Sequence, residues 1–155
     1  MGPASILEAD ARLRTPDGWM LTGDYCRLDG DVLTVTGRAS DFIIRGGKNI
    51  SAAQVEEEVG THPAVALVAA VAMPDPVFGE RVCVYLEAAP GAAAPDLDAV
   101  RAHLEARRVG KELWPERVEV LDALPRASGG KVAKGVLRDD VRRRLAAESG
   151  ATGDR

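Results

Sequence analysis

The chain has 155 residues, a mass of 16.4 kDa and a formal net charge of −4. This length predicts a single domain, and the acidic balance argues against a general nucleic-acid binder. No apolar run reaches the roughly 18 residues that a membrane-spanning helix needs, and the first residues lack the pattern of a secretory signal. The two cysteines, Cys26 and Cys83, show no metal-ligand spacing, so the sequence predicts a reduced, cytoplasmic protein without a metal site.

Hydrophobic patterning predicts a mixed chain of short strands and three helices, preceded by a hairpin. Asp29-Gly30 signals the hairpin turn, and the continuous apolar run 65–73 indicates a buried central strand. Ser51 and Gln54 match a capping box that opens a helix. In chain order, we expect a hairpin over 20–36, a strand over 42–44, a helix over 51–59, strands over 65–73 and 81–87, a helix over 98–107, a strand over 117–121 and a helix over 133–147.

Two glycine-rich loops each contain Gly-Gly-Lys, ending at Lys48 and at Lys131. Glycine lets the backbone approach a phosphate closely, and lysine supplies a compact, reaching cation. Neither loop has the spacing of a Walker A motif. These loops indicate phosphate chemistry, although Lys48, Lys111 and Lys134 are interpreted as solvated side chains.

The two histidines do not form a catalytic set with a serine and an aspartate. His62 lies between a predicted helix and a predicted strand, and we interpret it as structural. His103 lies on an amphipathic helix, and we interpret it as exposed and inert.

Three segments occur in an order that is typical of one family: GWMLTGD at 18–24, GRASDFIIRGGKNIS at 37–51 and LPRASGGKVAK at 124–134. Together they resemble the adenylate-forming ligases, which include acyl- and aryl-CoA synthetases and the adenylation domains of nonribosomal peptide synthetases. The resemblance covers about Gly18 to Leu145. It implies an α+β fold, in which a small mixed sheet with about three helices follows a β-hairpin.

The same resemblance implies that the chain is the small, mobile C-terminal domain of such an enzyme. Residues 1–36 would be the tail of the large N-terminal domain, 37–147 the mobile lid domain and 148–155 a frayed tail. The isolated chain would be inactive without its partner, the large domain. The face that docks on that domain would give the chain a tendency to self-associate.

The family reaction has two steps. A carboxylate attacks the α-phosphate of ATP, which gives an acyl-adenylate and pyrophosphate, and a thiol then displaces AMP. The resemblance implies that the whole enzyme uses ATP with Mg²⁺, releases AMP and takes coenzyme A as the thiol, and that none of these is bound to this fragment alone. The motif GRASDFIIRGGKNIS resembles bacterial acyl-CoA synthetases most closely. This resemblance implies a fatty or other hydrophobic acid as the small-molecule substrate.

The resemblance assigns roles to five residues. Lys131 would stabilise charge on the reacting carboxylate and α-phosphate, which makes it the catalytic residue. Asp24 would accept hydrogen bonds from the ribose hydroxyls, and Arg38 would lie near the ribose and phosphate. Gly47 would line the pantetheine tunnel in the thioester-forming state, and Ser40 would be the hinge.

The sequence departs from the family pattern at three positions. The hinge is usually Asp or Lys, whereas here it is Ser40. The catalytic loop has Gly129 where serine is usual, which leaves one loop hydrogen bond in question. A second functional lysine of some relatives is replaced by Ile44, which argues against luciferase-like chemistry.

Simpler interpretations remain open for each site residue. Asp24 could cap a turn, Arg38 could pair with Asp41 or another surface acid, Lys131 could be an ordinary loop lysine, and Gly47 could serve only the turn. Two functional alternatives also remain: an adenylation domain that loads a carrier protein, and a stand-alone interaction module without catalytic activity.

Overall fold

The computed structural model describes residues 14–152 of the chain. Its contacts divide the chain between Ser40 and Asp41 into two compact units. The first unit contains a β-hairpin, and the second contains a five-stranded sheet with three helices among the described residues. The predicted α+β class with a preceding hairpin is confirmed.

The hairpin of the first unit pairs strand β1 (Asp24–Asp29) antiparallel with strand β2 (Val32–Arg38). The connecting turn is Gly30-Asp31, and Gly30 has a φ of +58°, a conformation that glycine adopts without steric cost. Leu28 and Leu33 lie opposite each other across the strands and are 67% and 64% exposed. This pair gives the hairpin an apolar surface.

In the second unit, three helices pack on one mixed sheet. The elements are β3 (Phe42–Arg45), β4 (Lys48–Ser51), α1 (Ala52–Gly60), β5 (Val65–Asp75), β6 (Gly79–Ala88), α2 (Leu97–Ala106), β7 (Arg117–Val120) and α3 (Lys134–Thr152). The strand order is β4-β3-β6-β5 with antiparallel neighbours, and β7 pairs parallel with β6. Strand β6 is therefore the centre of the sheet.

Strands β3 and β7 share the edge of β6 that faces away from β5. Strand β3 meets β6 through the pair Arg45 and Gly79, whereas β7 pairs further along. The Glu116 side chain lies where these two strands meet β6. Its Oε2 accepts a hydrogen bond from the backbone N–H of Val82 at 2.8 Å. Its other oxygen forms a half-buried ion pair with Arg45.

Both faces of the sheet are buried, which explains the continuous apolar run in the sequence. Alternate residues of a strand point to opposite faces, so each face of β5 and β6 contributes to its own core. One core lies under α1 and α2 and includes Ala70, Val82, Val84, Leu86, Val55, Val59, Val100 and Leu104. The other lies under α3 and includes Ala69, Val71, Cys83, Tyr85, Leu137 and Val141.

Local hydrogen bonds define the helix ends. Ser51 caps α1, because its Oγ accepts from the N–H of Gln54 at 3.4 Å, and this confirms that part of the predicted capping box. Helix α2 ends in a Schellman motif: the N–H of Val109 donates to the carbonyl of Leu104 at 3.0 Å. The left-handed residue of that motif is Arg108, with a φ of 60°.

The sequence prediction lacks strand β4 and ends the last helix too early. Residues 48–51 pair with β3 as strand β4, because Gly46-Gly47 form a two-residue hairpin turn with φ values of +58° and +82°. Helix α3 continues to Thr152, past the predicted end near residue 147. Its last turns are tied to β7 by an ion pair of 2.6 Å between Arg117 and Glu148.

Candidate functional site

Lys131 lies in a closed loop between β7 and α3, which we call the lysine loop (residues 126–132). The N–H of Ala127 donates to the carbonyl of Lys131 at 2.8 Å, and the N–H of Gly130 donates to the carbonyl of Ala127 at 3.0 Å. The Arg126 side chain donates to the carbonyl of Gly130 at 2.8 Å. The loop therefore fixes the backbone of Lys131 and leaves its side chain exposed.

The two glycines before Lys131 serve the backbone of this loop. Gly129 and Gly130 have φ values of +100° and +81°, in the region that residues with a Cβ rarely adopt. Glycine at position 129, where the ligases that the sequence resembles usually have serine, therefore suits the conformation of the loop. The structure therefore shows a loop that is held by hydrogen bonds between its own residues.

Gly47 lies in the turn between β3 and β4, beside the turn between β5 and β6. The N–H of Gly46 donates to the carbonyl of Phe78 at 2.9 Å. A Cβ at Gly46 would lie 3.3 Å from the Phe78 ring, whereas a Cβ at Gly47 would have no atom within 4 Å. The turn thus packs at Gly46 and leaves open space at Gly47.

The Gly47 turn and the lysine loop are anchored at opposite ends of strand β6. Arg45, which precedes the turn, pairs with Gly79 at the start of β6. The segment that leads into the lysine loop is held near the end of β6, because the N–H of Leu124 donates to Glu87 Oε1 at 2.6 Å. Gly79 and Glu87 are about 26 Å apart at the rise of an extended strand. The second unit therefore presents the two predicted functional loops at separate ends of one sheet.

Asp24 and Arg38 lie opposite each other across the hairpin of the first unit. They are partners in the strand register, and Arg38 Nε donates to Asp24 Oδ1 at 3.0 Å. The structure therefore brings the two predicted nucleotide-binding residues together. Asp41, which sequence reasoning offered as another partner for Arg38, instead pairs with Arg138 at 3.3 Å.

Ser40 lies in a short 3-10 turn, Ala39–Asp41, that follows β2. The division between the two compact units falls directly after it. Its role as a hinge stays a prediction.

Sequence reasoning missed the role of Lys134. Instead of being solvated, its Nζ lies 2.8 Å from Glu56 Oε1, and the two side chains are only 19% and 24% exposed. The same carboxylate oxygen accepts from the N–H of Ala70 at 2.7 Å. No sequence pattern links these residues, because Glu56 is on α1, Ala70 on β5 and Lys134 on α3.

The two histidines form a contact at the α1–α2 surface. Their ring centroids are 4.9 Å apart, and His103 Nε2 lies 2.8 Å from Thr61 Oγ1. Burial lowers the pKa of His103, and the nearby His62 and Arg107 lower it further. This histidine is therefore partly buried and packed, not exposed as the sequence suggested.

A polar network crosses the core under α3. The buried Tyr85 hydroxyl donates to Asp140 Oδ2 at 2.9 Å, and Arg144 pairs with the same oxygen at 2.6 Å. The hydrogen bond from Arg144 holds the pKa of Asp140 below its usual value, whereas burial raises the pKa of Tyr85. Burial also raises the pKa of Cys83 to about 12, so this thiol is an inert core residue.

Within residues 14–152, no three His, Cys, Asp or Glu side chains are grouped so that they could hold a metal ion. The same part of the chain contains no helix long and apolar enough to cross a membrane.

The motifs around these loops are matched by a known protein family. Residues 54–131 match the model of the AMP-binding enzyme C-terminal domain, which is half of the chain. The chain belongs to this family. The recognition made from its motifs is confirmed.

Two curated relatives of this AMP-binding C-terminal domain are enzymes whose names refer to carboxylic acids. A salicylyl-CoA synthase / salicylate adenylyltransferase from a Streptomyces species is 48% identical over 87% of this chain and 24% of its own length. A medium-chain fatty-acid–CoA ligase from Escherichia coli is 39% identical over 94% of this chain and 26% of its own length. The chain thus spans about a quarter of the relatives that it matches.

Solved structures agree with this assignment. The crystal structure of ATP-bound MatB from Rhodopseudomonas palustris superposes with a TM-score of 0.74 at 30% identity, over 88% of this chain and 27% of that chain. The apo structure of Mycobacterium smegmatis MbtA gives a TM-score of 0.61 at 37% identity, over 84% of this chain and 26% of that chain. The chain therefore spans about a quarter of each of these solved structures as well.

Proposed function

We propose that the chain is the C-terminal lid domain of an ATP-dependent carboxylic acid–CoA ligase. The observation that carries this proposal is the exposed Lys131 on a backbone-fixed loop, within a domain of the AMP-binding family. This arrangement supports preorganised charge stabilisation. Because the backbone of Lys131 is already held, its ammonium needs little rearrangement when the transition state forms.

In the adenylation step, Lys131 would contact the attacking carboxylate and the α-phosphate. Its compact ammonium can approach two oxygens at once and offset the negative charge that develops between them. Asp24 would bind the ribose hydroxyls through its carboxylate oxygens, which act only as acceptors. Arg38, already paired with Asp24, would orient that carboxylate and extend a cation toward the phosphate.

In the thioester step, the Gly47 turn would take the place of the lysine loop at the active site. The open space beside Gly47 suits the passage of a narrow pantetheine arm. Separation of the two loops along β6 supports a domain rotation between the steps, with the hinge at Ser40. Each loop would then serve one half-reaction.

The proposed substrates are a fatty or other hydrophobic acid, ATP and coenzyme A, and the proposed setting is fatty-acid metabolism in the cytoplasm. Mg²⁺ would accompany ATP in the active site of the whole enzyme. The large N-terminal domain would be the principal partner of this chain. Self-association of the isolated chain is also proposed, through the face that the large domain would cover.

A second candidate function keeps the adenylation step and changes the acceptor to a carrier protein. It is favoured by relatives whose names include 2,3-dihydroxybenzoate-AMP ligase from Bacillus subtilis, at 40% identity, and a pyochelin synthase, at 37% identity. The two candidates differ only in the thiol that displaces AMP.

The experiment combines this chain with the separately purified large domain from the same protein. Acid-dependent exchange of pyrophosphate into ATP is measured with and without the chain, using fatty and aryl acids. We expect exchange that depends on the wild-type chain and is lost with Lys131→Ala. Mass spectrometry with coenzyme A or a phosphopantetheinyl carrier then identifies the acceptor, and no exchange with the wild-type chain would favour a non-catalytic interaction module.

A further inference from the structure

Hydrogen bonds within the lysine loop hold its backbone, so the placement of the loop depends on how its two ends are attached. Its entrance is fixed by Leu124, whose side chain is 3% exposed and whose N–H donates to Glu87 Oε1 at 2.6 Å. Its base is closed by the N–H of Ala133, which donates to the carbonyl of Pro125 at 2.7 Å. The exit passes directly into α3 at Lys134.

At the exit, one carboxylate oxygen joins three elements. Glu56 Oε1, from α1, lies 2.8 Å from Lys134 Nζ and accepts from the N–H of Ala70 at 2.7 Å. Ala70 is on β5, at the edge of the sheet, and is 1% exposed. Lys134 is therefore tied through Glu56 to a backbone group that cannot move without disturbing the sheet.

Lysine is an unusual first residue for a helix, and Lys134 is the first residue of α3. The first turn of a helix favours acidic side chains and disfavours cations, because the helix dipole is positive there. Helix α3 begins with Lys134 and has no acidic residue in its first turn. Lys134, which local helix stability disfavours, is instead paired with the Glu56 carboxylate on another element. An ion pair of this kind is weak evidence for a contribution to stability, which leaves placement of the chain as its role.

We propose that Glu56 and Lys134 are positioning residues for Lys131. Their ion pair holds the exit of the lysine loop on the α1–β5 scaffold, so that the ammonium of Lys131 is presented at a constant place. The inference rests on the proposed role of Lys131 in adenylation. Neither residue needs to touch a substrate.

The test uses the full-length enzyme that carries this chain. Lys134→Met keeps an unbranched side chain and removes its charge. Glu56→Gln removes the charge of the carboxylate and keeps an oxygen that can accept from the N–H of Ala70. We expect each variant to lower kcat of adenylation about tenfold, because a small displacement of a catalytic group is costly. KM for ATP and for the acid should stay unchanged, and Lys134→Arg should recover most of the activity. Lys111→Met, at an exposed lysine outside the loop, is the matched control.

A second measurement reports on the loop itself. Amide hydrogen exchange at Ala127 and Gly130, whose N–H groups are bonded within the loop, should accelerate in Lys134→Met and in Glu56→Gln, while exchange at Val84 in β6 stays slow. Should Lys134→Met fail to fold, Glu56→Gln alone decides the outcome. Faster exchange throughout the domain would mean a general structural role and would overturn the proposal.

Lys131→Ala in the same assay distinguishes a failure of the positioning role from a failure of the proposed function. If Lys131→Ala abolishes adenylation and the Lys134 and Glu56 variants retain full kcat, the positioning role is wrong and the proposed function stands. If Lys131→Ala retains full adenylation activity, the proposed function itself is wrong.

Discussion

Among the single residues of the chain, Arg108 stands out by its backbone conformation. It occupies the left-handed position of the Schellman motif at the end of α2, with a φ of 60°. Residues other than glycine pay roughly 1–2 kcal/mol in that region, and Arg108 is exposed on the surface. The conformation is set by the hydrogen bonds of the helix end.

We therefore expect Arg108→Gly to stabilise the domain by about 0.5–1 kcal/mol, since glycine relieves the steric cost but loses some backbone entropy on folding. Urea unfolding followed by far-ultraviolet circular dichroism would measure the change. Arg107→Gly is the matched control: Arg107 has a φ of −84° and pairs with Glu58, so this change should destabilise. Equal effects of the two substitutions would refute the explanation.

His103 makes stability depend on pH near neutrality. Its pKa is lowered in the folded state, chiefly by burial, with contributions from His62 and Arg107. As the pH falls through about 6.5, the unfolded chain takes up a proton before the folded one, so the free energy of unfolding decreases. At higher pH both states are neutral, and this contribution is complete.

The corresponding experiment compares urea midpoints between about pH 7.5 and about pH 5.5, a window on both sides of the ordinary histidine pKa. The wild-type chain should lose stability across this range. His103→Gln retains a polar partner for Thr61 and cannot titrate, so its loss should be smaller. Parallel pH profiles for the two proteins would show that His103 is not responsible.

At the scale of elements, Glu116, which directly precedes β7, reinforces the short junction between β3 and β6. Its two oxygens bind Arg45, at the end of β3, and the N–H of Val82, in β6. In Glu116→Gln the amide nitrogen would face one of these two donors, which leaves that donor without an acceptor. A partly buried donor that is left without an acceptor lowers the free energy of unfolding by about 1–3 kcal/mol.

We expect that loss of stability in urea unfolding of Glu116→Gln. The control is Glu105→Gln, an exposed position on α2, which should stay within about 0.5 kcal/mol of wild type. A wild-type stability for Glu116→Gln would contradict the role of this side chain at the strand junction.

Features that depend on neighbouring residues could be predicted from the sequence, whereas contacts between distant elements could not. The cap at Ser51 and the buried strand over 65–73 were predictable, because each rests on residues that are neighbours along the chain. Glu56, Glu116 and Lys134 were not predictable, because their partners lie on other elements. The lysine loop was recognised by its motif, but its closure depends on backbone hydrogen bonds that composition does not reveal.

At the scale of the whole molecule, the chain is a domain of a family whose curated members are about four times as long. Its sheet carries the lysine loop and the Gly47 turn at separate ends of β6. The central claim is that each loop serves one half-reaction. Variants in the two loops should therefore separate the half-reactions.

The chain offers matched controls for both variants. Lys48 is exposed and follows a Gly-Gly pair, as Lys131 does. Gly91 has a φ of +75° and open space around it, close to the +82° and open space of Gly47. Lys48→Ala therefore controls for the loss of an exposed lysine, and Gly91→Ala controls for backbone strain at Gly47→Ala.

The decisive measurement is single-turnover kinetics of both half-reactions in the full-length enzyme. We predict that Lys131→Ala slows adenylation by about 10²–10³-fold and leaves thioester formation from a preformed acyl-adenylate close to wild type. Gly47→Ala should slow thioester formation and spare adenylation. Lys48→Ala should match wild type in adenylation, and Gly91→Ala should match wild type in thioester formation. Equal losses of both half-reactions in Lys131→Ala, or no loss of adenylation, would contradict the claim.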